Sequence, residues 1–148
     1  MTKFRWSNIP IPEGHVFALV AGVALNWWCP LEFWQAALQI QVFGWTLLLI
    51  GILLAIWATT TFSKMDFSKP TAVVASGPYA LSRNPMYVAW TLMYLAIALL
   101  VNSWWLVMLL PIVLLLTHFF VIRKEESQLE RMFGEAYRQY CTRVRRYL

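Results

Sequence analysis

The sequence predicts an all-α integral membrane protein in which four transmembrane helices form one domain over residues 1–148. Hydrophobic residues make up 60% of the chain and charged residues 13%, whereas a soluble domain carries about 45–50% and about 25%. Four long apolar stretches account for this composition, and every Lys and Arg lies outside them. A soluble enzyme, a disordered chain and a disulfide-stapled secreted domain are therefore excluded.

The four apolar stretches have the length of membrane-spanning helices, which need about 20 residues at a rise of about 1.5 Å each. They must be helical, because four spans are too few for a closed barrel. Asn102-Ser103 joins the third stretch to the fourth through a tight turn, which predicts an antiparallel helical hairpin. The predicted spans cover residues 15–34, 41–62, 86–101 and 104–122.

The basic residues orient these spans. All twelve fall before the first span, between the second and third, or after the fourth. The positive-inside rule therefore places both termini in the cytoplasm, as in a multi-pass protein of a bacterial or archaeal inner membrane. The net charge of +5 favours anionic lipid head groups as partners and not nucleic acid. The basic residues are Lys3, Arg5, Lys64, Lys69, Arg83, Arg123, Lys124, Arg131, Arg138, Arg143, Arg145 and Arg146.

The loop before the third span holds an arginine beside a predicted helix start. Gly77-Pro78 is a turn signal, and Asn84-Pro85 places proline at the first helical position. Arg83 then lies next to unpaired backbone N–H groups and the positive end of a helix dipole. This arrangement suits an anion such as a carboxylate or a phosphate. The alternative is an ordinary positive-inside loop with a capped helix.

A second polar segment follows the fourth span. If the helix continues regularly, His118, Ile122, Glu125 and Leu129 form one stripe, with the imidazole about 10 Å from the carboxylate. Adjacent Glu125 and Glu126 point about 100° apart, so one is expected to face the bundle and the other water. The alternatives are a helix–helix hydrogen bond for His118 and a solvated, salt-bridged face for the two glutamates.

The C-terminal segment after Gly134 combines aromatic and basic residues, which predicts a short amphipathic helix on the cytoplasmic leaflet. This helix either anchors the chain or also closes a site. Cys29 and Cys141 lie far apart and lack metal-ligand spacing, so neither a disulfide nor a metal site is expected. Gly14, Ala18, Ala21 and Gly22 of the first span are small enough to pair two copies of the chain, and the oligomeric state is left open.

The two polar segments, in this order around a hairpin, resemble the isoprenylcysteine carboxyl methyltransferase and phospholipid methyltransferase superfamily of integral membrane enzymes. The superfamily pattern is G-x-Y-x-x-x-R-H-P-x-Y, two spans, E-E-x-x-L and then F-G-x-x-Y-x-x-Y. The resemblance covers residues 73–144, with Asn84 where the pattern has His, a position that therefore cannot titrate. The matching residues are Gly77, Tyr79, Arg83, Pro85, Tyr87, Glu125, Glu126, Leu129, Phe133, Gly134, Tyr137 and Tyr140.

The resemblance implies methyl transfer from S-adenosylmethionine, with S-adenosylhomocysteine as product, to a lipophilic acceptor that enters from the bilayer. The acceptor is either an isoprenylcysteine-type carboxylate or a phospholipid-type amine. Arg83 suits the cofactor's carboxylate, and either glutamate suits its ribose or ammonium. Arg83 and Glu126 are the implied catalytic residues, acting by positioning. The implied cofactor-binding residues are Val74, Gly77, Tyr79, Leu81, Arg83, Asn84, Pro85, Tyr87, His118, Glu125 and Glu126, within residues 73–87 and 118–144.

Two other functions remain open at this point. One is an NADPH-dependent membrane reductase resembling the sterol reductases, which would need more than one arginine for the 2′-phosphate. The other is a non-catalytic lipid-binding membrane protein, which predicts that Glu125 and Glu126 face water. The six glycines contain no G-x-G, so any nucleotide-like cofactor must bind through the membrane architecture and not through a Rossmann turn.

Overall fold

The computed structural model describes residues 13–33, 38–63 and 73–147 and contains no strand in these ranges, which confirms the predicted all-α class. Of the predicted features, the end of the first span at Trp34 and the basic residues Lys3, Arg5, Lys64 and Lys69 lie outside the described residues. The helices are α1 (Glu13–Trp28), α2 (Leu38–Ser63), α3 (Pro85–Val101), α4 (Trp104–Leu116), α5 (Arg123–Phe133) and α6 (Glu135–Arg143), with a 3₁₀ turn at Gly77–Ala80 and a π-helical segment at Thr117–Ile122.

Within the described ranges, two helices are long and apolar enough to cross a membrane. One is Leu38–Phe62, and the other runs without a break from Trp104 to Phe133. α3 is also apolar but has 17 residues, and α1 has 16, both shorter than the about 20 that a straight span requires. Length and composition therefore support two of the four predicted spans.

α2 packs against α3 along a line of small residues. Gly44, Gly51 and Ala58 are buried at intervals of seven residues, a repeat that keeps them on one helical face. A Cβ atom at Gly51 would lie 2.7 Å from Met93 Cγ and 3.1 Å from the carbonyl oxygen of Ala89. The absence of a side chain at Gly51 therefore allows the two backbones to approach closely.

We expect Gly51→Ala to destabilise the protein by about 1–3 kcal/mol, because the added methyl group overpacks this contact. Gly14→Ala is the matched control, since the nearest atom to a Cβ at Gly14 is Thr117 Oγ1 at 3.9 Å. The control should be neutral or stabilising by about 0.5–1 kcal/mol. Thermal unfolding in detergent measures both variants, and equal unfolding temperatures would contradict the close approach.

α1 packs against α4 through two of its small residues. Ala18 and Gly22 are buried within the chain, and a Cβ atom at Gly22 would overlap Leu106 Cδ2 of α4. Their small size therefore serves packing within one chain.

The turn between α3 and α4 confirms the predicted hairpin. Asn102 adopts a left-handed conformation with φ of 56°, which asparagine tolerates better than most residues. Its side-chain Oδ1 accepts a hydrogen bond of 3.3 Å from the backbone N–H of Phe33. The backbone N–H of Trp104 donates to the carbonyl of Leu31 over 2.8 Å. These bonds attach the chain after α1 to the hairpin turn.

The π-helical segment changes the register of everything that follows α4. Val113 and Thr117 are buried four residues apart, but the next buried residue is Ile122, five positions later. A π turn adds one residue, so the following side chains are rotated by about 100° relative to a regular helix. The predicted stripe is therefore broken at this segment, because His118 no longer shares a helical face with Ile122 and Glu125, and Leu129 is exposed.

Candidate active site

The end of the chain folds back onto the loop that precedes α3. The backbone N–H of Arg83 donates to the carbonyl of Arg145 over 2.9 Å. The carbonyl of Arg146 accepts hydrogen bonds from Asn84 Nδ2 at 3.1 Å and from Ser82 Oγ at 3.4 Å. Ser82 and Asn84 are buried beneath these contacts. The C-terminal tail therefore fixes the backbone on both sides of Arg83.

Glu126 lies between two guanidinium groups. Arg83 Nη1 is 3.2 Å from Glu126 Oε1, and both side chains are 14% exposed. Arg146 forms a fork on the same carboxylate, with Nε 3.0 Å from Oε1 and Nη2 2.7 Å from Oε2. The hydrogen bonds to Glu126 raise the pKa of Arg146 above its usual value, so it remains charged. The cluster thus carries a net positive charge, and it brings Arg83 and Glu126 together.

The guanidinium of Arg83 is only partly used by its protein neighbours. Its Nη1 is used by Glu126 and by Cys141 Sγ, which accepts a hydrogen bond at 2.8 Å. Its Nε is buried and has no hydrogen-bond partner among the described residues. A carboxylate is bound best by two parallel N–H groups of one guanidinium. The unused Nε–H of Arg83 therefore fits an incoming carboxylate.

α6 closes the site in addition to following the amphipathic pattern. Tyr137 and Tyr140 on this helix are buried, and Tyr140 donates from its hydroxyl to the carbonyl of Tyr79 over 2.7 Å. Burial raises the pKa of Tyr140 to about 12 and also raises that of Tyr79, so both phenols are neutral at physiological pH. The contact joins α6 to the 3₁₀ turn and resolves the open choice between anchoring and closing.

Glu125 has a different set of neighbours from Glu126. Its Oε1 accepts a hydrogen bond of 2.9 Å from the Tyr87 hydroxyl, and its side chain is half-buried. Glu126 is also largely buried between Arg83 and Arg146, with 14% of its side chain exposed, so the expectation that one glutamate faces water is wrong. The same geometry contradicts the requirement of the non-catalytic reading that both glutamates be exposed.

A cleft of about 420 Å³ opens beside this cluster, within the range of about 300–1,000 Å³ that is usual for small-molecule sites. Its walls come from α5, α6, the loop before α3 and the tail. Four arginines and two glutamates make it strongly polar, as expected for a charged ligand. The lining residues are Arg83, Arg123, Glu126, Ser127, Glu130, Tyr137, Arg138, Cys141 and Arg146.

Several residues named from the sequence lie away from this cleft. His118 Nδ1 is 2.6 Å from the Tyr147 hydroxyl, Leu81 is 65% exposed, and Val74 is half-buried. Gly77 has φ of +58°, and a Cβ there would lie 2.8 Å from Thr61 Oγ1, so its role is local backbone geometry. Pro85 begins α3 as predicted and is buried. A cofactor contact by any of these residues remains a prediction.

Sequence reasoning missed Arg146 and the thiol of Cys141 as members of the site. Arg146 counted only as one charge of a basic tail, and Cys141 only as an unpaired cysteine. Neither contact has a local signal, because each depends on the chain returning to the loop before α3. In the part of the chain that the structure describes, no three His, Cys, Asp or Glu side chains are grouped so as to hold a metal ion.

Comparison with known proteins assigns the family. No curated protein and no solved structure matches the chain. The profile of the phospholipid methyltransferase family matches residues 38–136, which is more than half of the 148 residues and includes Arg83, Glu125 and Glu126. That family is part of the superfamily named from the sequence pattern, so the resemblance is confirmed. The chain belongs to the phospholipid methyltransferase family of membrane methyltransferases.

Proposed function

We propose that the protein transfers a methyl group from S-adenosylmethionine to a lipophilic acceptor at the cytoplasmic face of the membrane. The observation that carries the proposal is the Arg83–Glu126 pair at 3.2 Å, which lines the 420 Å³ cleft. Both residues lie in segments that fit the superfamily motifs and that fall within the match to the family profile. The partly unused guanidinium and the adjacent carboxylates match the charged groups of this cofactor.

The carboxylate, the ammonium and the ribose of the cofactor each have a counterpart in the site. The Nε edge of Arg83 would bind the cofactor's carboxylate. Glu126 would accept hydrogen bonds from its ammonium group, and Glu125 from its ribose hydroxyls. Because Arg146 already contacts both oxygens of Glu126, the ammonium group must displace part of this contact. S-adenosylhomocysteine, the product, retains the carboxylate, the ammonium and the ribose but has a neutral sulfur, and it would bind through the same contacts.

The chemistry requires positioning and no nucleophilic side chain. When bound, the cofactor supplies a methyl group that is already activated by a positively charged sulfur. The sulfur–carbon bond breaks as the acceptor–carbon bond forms, so the acceptor atom must lie in line with both. Arg83 and Glu126 would hold the amino-acid end of the cofactor, and the methyl acceptor would approach from the bilayer side.

Isothermal titration of the detergent-solubilised protein tests cofactor use. We expect saturable binding of S-adenosylmethionine and of S-adenosylhomocysteine. The reductase alternative has one observation in its favour, since four arginines line the cleft and suit a 2′-phosphate. Binding of NADPH with no heat from either methyl-cofactor form would replace the proposal by that alternative. Labelled methyl donor incubated with a lipid extract then identifies the acceptor.

We extend the proposal to the membrane arrangement: four spans in the inner membrane, both termini cytoplasmic, and the basic tail on anionic lipid. The two cysteines report on it, because Cys29 follows α1 and Cys141 lies in the cleft, at opposite ends of the bundle. In intact cells, a membrane-impermeant maleimide is expected to label Cys29 and spare Cys141. Cys29→Ser and Cys141→Ser assign the label, and permeabilised cells control for reactivity. Labelling of Cys141 alone in intact cells would reverse the orientation.

A further inference from the structure

A buried histidine that the site above does not use lies near the start of α1. His15 is fully buried, although it is only the third residue of the helix and follows the exposed Glu13 and Gly14. Its ring meets the Tyr94 ring edge-on, with centroids 6.3 Å apart. Its Nε2 is 3.5 Å from Thr91 Oγ1. A titratable ring therefore sits in the apolar interface between α1 and α3.

The hydrogen bonds around Thr91 determine which ring nitrogen carries the proton. Thr91 Oγ1 donates its only proton to the carbonyl of Tyr87 over 2.8 Å. Toward His15 it can therefore only accept, so His15 Nε2 is the donor and Nδ1 holds a bare lone pair. Within residues 13–33, 38–63 and 73–147, neither His15 Nδ1 nor the Tyr94 hydroxyl has a hydrogen-bond partner. A buried polar group that stays unpaired is destabilising, because it has lost its hydrogen bonds to water.

These groups continue the polar surface of the site toward the bilayer interior. Tyr87 donates from its hydroxyl to Glu125, and Thr91 lies one turn further along α3, about 6 Å by helical rise. His15 on α1 contacts the Thr91 hydroxyl through its Nε2. A line of polar groups thus runs from Glu125 to an unpaired acceptor and an unpaired donor inside the bundle.

We propose that His15 and Tyr94 form a second polar subsite, which binds the head group of a lipophilic molecule entering from the bilayer. His15 Nδ1 accepts a hydrogen bond from an N–H or O–H of that head group, and the Tyr94 hydroxyl donates to its lone pair. That this molecule is the methyl acceptor rests on the proposed function. The subsite itself does not, because it is defined by two unpaired atoms outside the cleft.

Nitrogen NMR of the imidazole rings tests the subsite without any methyl donor. The chain has two histidines, and a His118→Gln variant leaves His15 as the only signal. The probes are dodecanol and 1-methoxydodecane, which share a chain but differ in the O–H donor. We expect dodecanol to shift the Nδ1 resonance upfield in a saturable way and the ether to leave it in place. No shift with dodecanol, or equal shifts with both probes, would overturn the subsite.

Two variants then ask which ring nitrogen matters for methyl transfer. His15→Asn keeps an acceptor near the position of Nδ1, whereas His15→Gln keeps a polar group near Nε2. We expect His15→Gln to raise the KM for the acceptor about tenfold more than His15→Asn does, with the affinity for S-adenosylhomocysteine unchanged in both. Equal effects of the two variants on KM would remove the role of Nδ1 in acceptor binding.

The NMR and cofactor experiments separate the two proposals. A dodecanol shift in a protein that binds no methyl cofactor would keep the subsite and refute the methyltransferase proposal. Cofactor binding with no dodecanol shift would keep the methyltransferase proposal and refute the subsite. The NMR measurement keeps His15 itself, so it remains decisive even if a His15 variant fails to fold.

Discussion

Methyl transfer is expected to fall by roughly 10- to 150-fold when Glu126 is replaced by glutamine, since a lost hydrogen bond to a charged group costs about 1.5–3 kcal/mol. Glutamine keeps the shape of the side chain but removes the negative charge that faces Arg83 and Arg146. The affinity for S-adenosylmethionine should fall with the rate, because the same carboxylate would receive the ammonium group. Initial rates with labelled donor and isothermal titration measure the two effects.

Glu130→Gln is the matched control for this change. Glu130 lies one turn further along α5 on the rim of the same cleft, and its side chain is 48% exposed and paired with Arg138. Exposed ion pairs contribute about 0–1 kcal/mol, so this variant should keep nearly all activity. Full activity of Glu126→Gln together with loss of activity in Glu130→Gln would move the site to the rim.

Arg83→Ala is expected to abolish measurable cofactor binding and methyl transfer. The substitution removes the Nε edge that would bind the carboxylate, and it also takes away one of the two cations on Glu126. Arg83→Lys should recover part of the affinity, because a lysine retains the charge but cannot present two parallel N–H groups. We expect binding isotherms to give the highest cofactor affinity for the protein with Arg83, a lower affinity for Arg83→Lys and no measurable binding for Arg83→Ala.

Arg138→Ala serves as the comparison for Arg83→Ala. Arg138 lines the same cleft, but its side chain is 65% exposed and it contacts only Glu130 and Glu135 among the acidic residues of the described ranges. We expect its removal to leave cofactor affinity within about threefold, as for other exposed charges. If Arg138→Ala and Arg83→Ala lowered affinity equally, general positive charge in the cleft would explain binding, and the specific role of Arg83 would be lost. Thermal unfolding of both variants confirms that each is folded.

The predicted helices agree well with the structure where local signals are strong. The third span and its turn at Asn102-Ser103 were placed within a residue of α3, because proline begins the helix and asparagine ends it. The predicted first span is longer than α1, because apolar residues continue past Trp28, where the helix ends. Hydrophobicity reports on burial in lipid or protein and carries little information on where a helix stops.

The candidate site was predictable in its motifs but not in its contacts. Arg83, Glu125 and Glu126 follow from short patterns that need no knowledge of the fold. The predicted stripe through His118 is wrong because a π turn inserts one residue, and no feature of the local sequence indicates that turn. Arg146 and His15 were missed because their partners lie 20 and 76 residues away along the chain.

Composition, hydropathy and two short motifs by themselves determined that this chain is an all-α membrane protein of a methyltransferase superfamily. These features are local or additive, so they can be read one segment at a time. Only the tertiary structure decided that both glutamates turn inward, that the tail of Arg146 meets Glu126, and that His15 has an unpaired nitrogen. Each of these depends on the relative position and rotation of separate helices, which packing sets and no single segment encodes.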